Sequence, residues 1–141
     1  MQRIALLKNR ILLRIIMLER TDPMNKERLL AFLKAYPAAS FSEIECFFDE
    51  IGFDYHGEQC IESVRGTNVM FWTGWSREAS RMICELVEEK RIGITPVSPF
   101  IALTFKKQFA LPMARQPDHN YKTLHWCPAV VTFLNQKEVH T

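Results

Sequence analysis

The sequence predicts a small α+β domain in which two helices precede a β-hairpin and a third helix runs on into further strand. Three observations predict it. Ser40-x-x-Glu43 forms a capping-box pattern in front of Ile44, Phe47, Phe48 and Ile51, which recur at helical spacing. Ser76 stands as an N-cap before Ala79, Met82, Ile83, Leu86 and Val87, a second apolar helical face. Between them Cys60, Ile61, Val64 and then Val69 to Trp72 favour extended chain, broken at Arg65-Gly66-Thr67-Asn68.

Each element has a local cause. In residues 1–21, Ile4, Ile11, Ile15 and Leu18 repeat at helical spacing, and Arg3, Lys8, Arg10 and Arg14 interrupt every apolar run. This is an amphipathic helical extension, with no uninterrupted secretory or membrane-spanning stretch. Its stripe suits packing on the core or on a twin subunit, and a basic membrane-surface helix is the lesser alternative. Translation from Met24 would leave the first 23 residues as an extension.

Asp22-Pro23 supplies a cap and a first-turn proline for a helix reaching Tyr36-Pro37, with Leu29, Leu30, Phe32, Leu33 and Ala35 as its stripe. Gly52 stops the Ser40 helix. Lys90-Arg91 closes the third helix with positive charge at its negative dipole end. Beyond it, Ile92 to Thr95 and Phe100 to Phe105 read as two strands joined across Pro96 to Pro99. From Lys106 the chain is loop-rich, with one strand-like run at Ala129 to Leu134. The expected organisation is a helical extension over 1–21, a single domain over 22–135 and a frayed tail over 136–141.

With 141 residues, 48% of them apolar, the chain can bury one core but is short for two domains. The net charge of +2 conceals polarisation: residues 1–34 carry eight Lys or Arg against three acids, whereas Phe41 to Glu62 carry seven acids and no Lys or Arg. A nucleic acid would meet the termini and avoid the middle. Cys46, Cys60, Cys84 and Cys127 lack paired spacing, so free thiols in a reducing, cytoplasmic setting are expected.

A helix, a capped second helix, and the third helix SREASRMICELVEEKRI followed by a two-strand wing resemble the winged helix-turn-helix superfamily over about residues 22–105. The best-matching positions are Ala79, Met82, Leu86 and Ile92. The resemblance implies a winged-helix-like domain with an inserted β-hairpin between its second and third helices and an N-terminal amphipathic helix. It also implies that the third helix is the recognition helix. In that superfamily a brief turn usually joins helices two and three, whereas here more than twenty residues intervene.

For DNA the candidate contacts are Arg77 and Arg81, one turn apart, with Ser76 and Ser80 beside them and Lys106 and Lys107 available for phosphate. Glu85, Glu88 and Glu89 continue the same helix surface, so it is mixed in charge, and exposed charge on a helix is ordinarily only solvation. The wing turn Pro96-Val97-Ser98-Pro99 holds no base, which favours packing or protein contact there. Phe71, Trp72, Trp75 and Trp126 suit a core more simply than a stacking platform. Glu43, Glu45, Asp49, Glu50 and Asp54 read as a solvated acidic face or a dock for a basic partner.

His56 with Cys60 and His125 with Cys127 offer two nitrogens and two sulfurs, but without the compact pairs of structural zinc. Cys60 or Cys127 with a histidine makes a nucleophile and base on paper, with no motif around it. No cofactor and no metal are expected. The leading expectation is therefore a non-catalytic binding module, DNA-binding or regulatory. The alternative is a protein-interaction or assembly module, including a homodimer through residues 2–20, using that helix and the acidic or aromatic surface.

Overall fold

A computed structural model describes residues 23–135. The expected helical extension over 1–21, the Asp22 cap and the tail over 136–141 lie outside the described residues. Among the described residues the architecture is α+β, with two three-stranded sheets.

Helix α1 (Pro23–Ala35) starts with its proline in the first turn and buries Leu29, Leu30 and Leu33. A short strand β1 (Ala38–Ser40) leads into α2 (Phe41–Glu50), where the capping box forms: Glu43 N–H donates to Ser40 Oγ at 3.1 Å and Ser40 N–H to Glu43 Oε1 at 3.2 Å. The exit of α2 is a Schellman motif. Gly52 takes φ +70, its N–H donates to Asp49 O and that of Phe53 to Phe48 O, while the Phe48 and Phe53 rings meet at 4.9 Å.

Strands β2 (His56–Glu62) and β3 (Thr67–Trp75) pair antiparallel as a hairpin after α2, turning at Ser63–Gly66. Ser76 then caps α3 (Arg77–Glu88), accepting from Ala79 N–H, and Ala79, Met82, Ile83 and Leu86 are buried. Lys90 adopts φ 59 in the corresponding terminating motif, with Lys90 N–H donating to Val87 O and Arg91 N–H to Leu86 O. Strand β4 (Ile92–Pro96) follows.

The second wing strand does not form. Phe100 to Phe105 instead opens with a single helical turn, α4 (Pro99–Ala102), because Ser98 Oγ accepts from Ile101 N–H at 3.4 Å and Pro99 sits where its missing N–H costs nothing. Ser98-Pro99 is thus a helix start, the same cap-and-proline signature as Asp22-Pro23. The partner of β4 is β6 (Ala129–Phe133), paired antiparallel from Ile92↔Phe133 to Pro96↔Ala129.

Sheet order is β1-β6-β4 in one sheet and β2-β3-β5 in the other, where β5 (Asn120–Trp126) runs parallel to β3. The strand β5 lies in the segment read as loop. One core joins the layers, its largest fully buried side chains including Trp72, Trp75, Trp126, Phe41 and Phe48. The aromatic residues of FWTGW are therefore core, as their apolar neighbours suggest.

Candidate interaction surfaces

Glu45 is the one acid of the α2 segment that the fold takes out of solvent, in contrast to its place in the expected solvated acidic face. It is 7% exposed. Its Oε2 accepts from Trp72 Nε1 at 3.0 Å and Trp75 Nε1 at 2.9 Å, and Lys107 Nζ lies 3.2 Å away. Residues 72 and 75 of a regular strand would face opposite sides, since side chains alternate. Gly74, at φ +97, is the extra residue of a bulge between Gln59↔Trp75 and Cys60↔Thr73, and it brings both indoles to the same carboxylate.

This arrangement also accounts for the basic residues expected at phosphate. Lys107 spends its ammonium on Glu45 and on Thr73 O at 3.1 Å, and sits 5.1 Å from the Trp72 ring centroid. Lys106 donates to Cys46 Sγ at 2.7 Å, a hydrogen bond that pushes its pKa upward, and its backbone N–H donates to Ser42 Oγ. Both lysines turn toward α2.

On α3, Arg77 is exposed and Arg81 half-buried, while Ser80 is buried and does not share their surface. Among the described residues Ser80 Oγ has no hydrogen-bond partner. The far end of the helix is tied to α1: Lys26 pairs with Glu85 and Glu89, and Arg91 Nη1 lies 3.2 Å from Glu27 and 3.8 Å from Glu89. Burial draws the Lys26 pKa down, but hydrogen bonds to Glu89 and Glu85 outweigh it and leave the group raised. Basic and acidic residues thus cancel across the α1–α3 contact.

The candidate zinc and nucleophile groups take other partners. His56 Nδ1 meets Asp54 at 2.9 Å, which lowers the Asp54 pKa, and Tyr121 stacks on His125 at 3.7 Å. Cys60 Sγ donates to Thr73 Oγ1, and Cys127 is buried, its thiol pushed up to about 11 by desolvation. At neutral pH Cys127 is a thiol and not a nucleophilic thiolate. Among the described residues no three His, Cys, Asp or Glu side chains gather as metal ligands.

Two surfaces were not read from the sequence. The first is α4, where Phe100 is 82%, Ile101 48% and Leu103 71% exposed, while Ala102 and Phe105 between and after them anchor the turn in the core. The cap signature at Ser98-Pro99 was the available clue, since a helical turn exposes a different set of these residues than a strand does. The second is a groove of about 660 Å³ between α1 and α2, floored by Phe32 and Phe47, whose rings stack at 4.6 Å.

Comparison with protein-family models, with curated proteins and with solved structures finds no match. Among the described residues no helix is long and apolar enough to cross a membrane.

Proposed function

We propose that this protein is a non-catalytic assembly module that pairs with a second copy of itself through the α4 surface. The exposure of Phe100, Ile101 and Leu103 within four residues carries this reading. Each such side chain is worth about 1.5–3 kcal/mol when fully buried, so a contiguous group of them on a surface favours a partner.

Charge favours a second copy as that partner. In a two-fold interface every side chain on the axis meets its own image, so any charge there is opposed by itself. From Ile92 to Phe105 no residue is charged. The surface is also held in place, by the Ser98 cap and by Gln108, whose side chain donates to Ala102 O at 2.7 Å.

Light scattering on the full chain over a concentration series tests the reading. The wild type is expected to pass from one-chain to two-chain mass, and Phe100→Glu and Leu103→Glu to remain single with unchanged circular dichroism. A one-chain mass at every concentration overturns it. So does a dimer that survives both substitutions, which would place assembly elsewhere, residues 2–20 included.

A second reading, DNA binding in the manner of a winged helix, is favoured by the exposed Arg77 in the first turn of α3. It predicts association with a duplex at low salt that falls steeply as salt rises and is weakened by Arg77→Ala with Arg81→Ala. Fluorescence anisotropy that stays flat at low salt removes this reading.

A further inference from the structure

Among the described residues, Cys46 is the cysteine that the fold sets against an amine. Lys106 Nζ donates to Cys46 Sγ at 2.7 Å, across sixty positions of sequence. The chain around this lysine is tied down on both sides. Lys106 N–H donates to Ser42 Oγ at 3.0 Å, one turn before Cys46 on α2, and Lys107 Nζ lies 3.2 Å from Glu45 Oε2 and donates to Thr73 O at 3.1 Å. Asp49 and Glu45 add their attraction for the Lys106 ammonium. Cys46 is half-buried and lines the groove between α1 and α2 together with Arg28, Glu43 and Glu50, so a small solute reaches it from water.

The other three thiols are placed differently. Cys60 Sγ donates to Thr73 Oγ1 at 3.1 Å. Cys84 stands on α3, where desolvation and then Glu88 and Glu85 push its thiol up. Cys127 is buried and pushed up to about 11. The thiolate is the form that attacks peroxides; a neighbouring ammonium favours it, whereas burial and nearby acids oppose it.

We propose that Cys46 and Lys106 form a covalent modification site, at which hydrogen peroxide joins Sγ to Nζ as a sulfenamide. In the first step the Cys46 thiolate attacks one peroxide oxygen and the O–O bond breaks. The departing hydroxide takes a proton from the Lys106 ammonium and leaves as water. Sulfur has then lost two electrons to the peroxide and is a sulfenic acid, a species that condenses with nitrogen. In the second step the Lys106 amine, now neutral, attacks Sγ. The S–OH bond breaks, and the hydroxide leaves as a second water with a proton from the nitrogen. One peroxide is consumed and one S–N bond is made. Because Nζ already stands at hydrogen-bond distance on a flexible stem, the bond closes without moving the backbone. Two equivalents of a small thiol reverse it, restoring Cys46 and Lys106 and leaving the disulfide of the reductant. The link fastens the chain after α4 to α2.

The test treats the full chain with hydrogen peroxide near equimolar ratio, with dimedone present or absent, and maps proteolytic peptides of the single-chain fraction by mass spectrometry. Without dimedone, the peptides holding Cys46 and Lys106 are expected to appear joined, lighter than their sum by two hydrogens, and to separate on treatment with dithiothreitol. Lys106→Arg keeps the charge and the donor but not the amine. This variant, with unchanged circular dichroism, is expected to lose the link and to accumulate sulfenic acid at Cys46 that dimedone captures. Cys46→Ser is expected to give neither product.

Three outcomes overturn the proposal. Oxidation of Cys60 and Cys84 that leaves Cys46 untouched shows that the lysine does not single out this sulfur. Sulfenic acid at Cys46 in the wild type, without a link and to the same extent as in Lys106→Arg, shows that the amine does not trap it. A link found only between two chains shows that the pair does not close within one molecule.

Discussion

The Nε1–H of Trp75 donates to Oε2 of Glu45 at 2.9 Å, a buried hydrogen bond that ties the last residue of β3 to the middle of α2. Trp72 donates to the same oxygen, and Lys107 closes the group from the half-exposed side. The carboxylate is therefore the shared acceptor between a helix and a strand thirty positions apart in sequence.

Glu45→Ala is expected to lower stability by about 3–5 kcal/mol, because it strands two buried indole N–H groups and removes the partner of Lys107. Glu45→Gln keeps a carbonyl acceptor and is expected to lose less. Urea unfolding followed by tryptophan fluorescence measures both. A cost under 1 kcal/mol for the alanine variant would show that the indoles find other acceptors.

Gly74→Ala is expected to cost about 1–3 kcal/mol, since an alanine at φ +97 is strained and its Cβ would come within 2.9 Å of Lys107 Nζ. The lysine tip can retreat, so the backbone term dominates. The same unfolding experiment reads it, and the double variant with Lys107→Ala should recover only the smaller, steric part.

Ser80→Ala is expected to leave stability unchanged or raise it by about 1 kcal/mol, because the buried Ser80 Oγ has no partner among the described residues to lose. Thermal unfolding checks the sign. A clear loss of stability would mean that the hydroxyl is hydrogen-bonded in solution.

Cys127 makes stability depend on alkaline pH. Its thiol is raised from 9.0 to about 11 by burial, so above pH 9 the unfolded chain releases a proton that the folded chain retains. The protonated thiol's contribution is full below pH 9 and is lost as pH rises toward 11. Stability measured against pH should fall across that window, and Cys127→Ala should flatten the fall. Equal slopes in the two proteins would rule out Cys127 as the source.

Helix starts and stops were legible because they are settled within a few residues. Ser40 with Glu43, Gly52 and Ser76 each act through backbone groups three or four positions away, and the fold uses all of them as expected. The hairpin of β2 and β3 was legible for the same reason, being closed by the turn between them. Ser98-Pro99 carried an equally local signal, but the apolar run from Phe100 to Phe105 resembles a strand as much as a helical turn, and short apolar runs do not distinguish the two by periodicity.

Partner choice among distant groups was decided only by tertiary structure. That β4 pairs with β6 and β3 with β5, across tens of residues, follows from which apolar faces can be buried together. The same holds for the charges. Along the chain, Lys106 and Lys107 are two bases after an uncharged stretch, and Glu45 is one acid among seven in its segment. Folding buries Glu45 and sets both lysines against α2, because a carboxylate withdrawn from water requires donors and only the folded chain shows which donors reach it. Sequence by itself determined where α2 and α3 begin and end and that Phe71, Trp72 and Trp75 belong to the core. Only the tertiary structure decided which charges are cancelled, and that Phe100, Ile101 and Leu103 are left facing water.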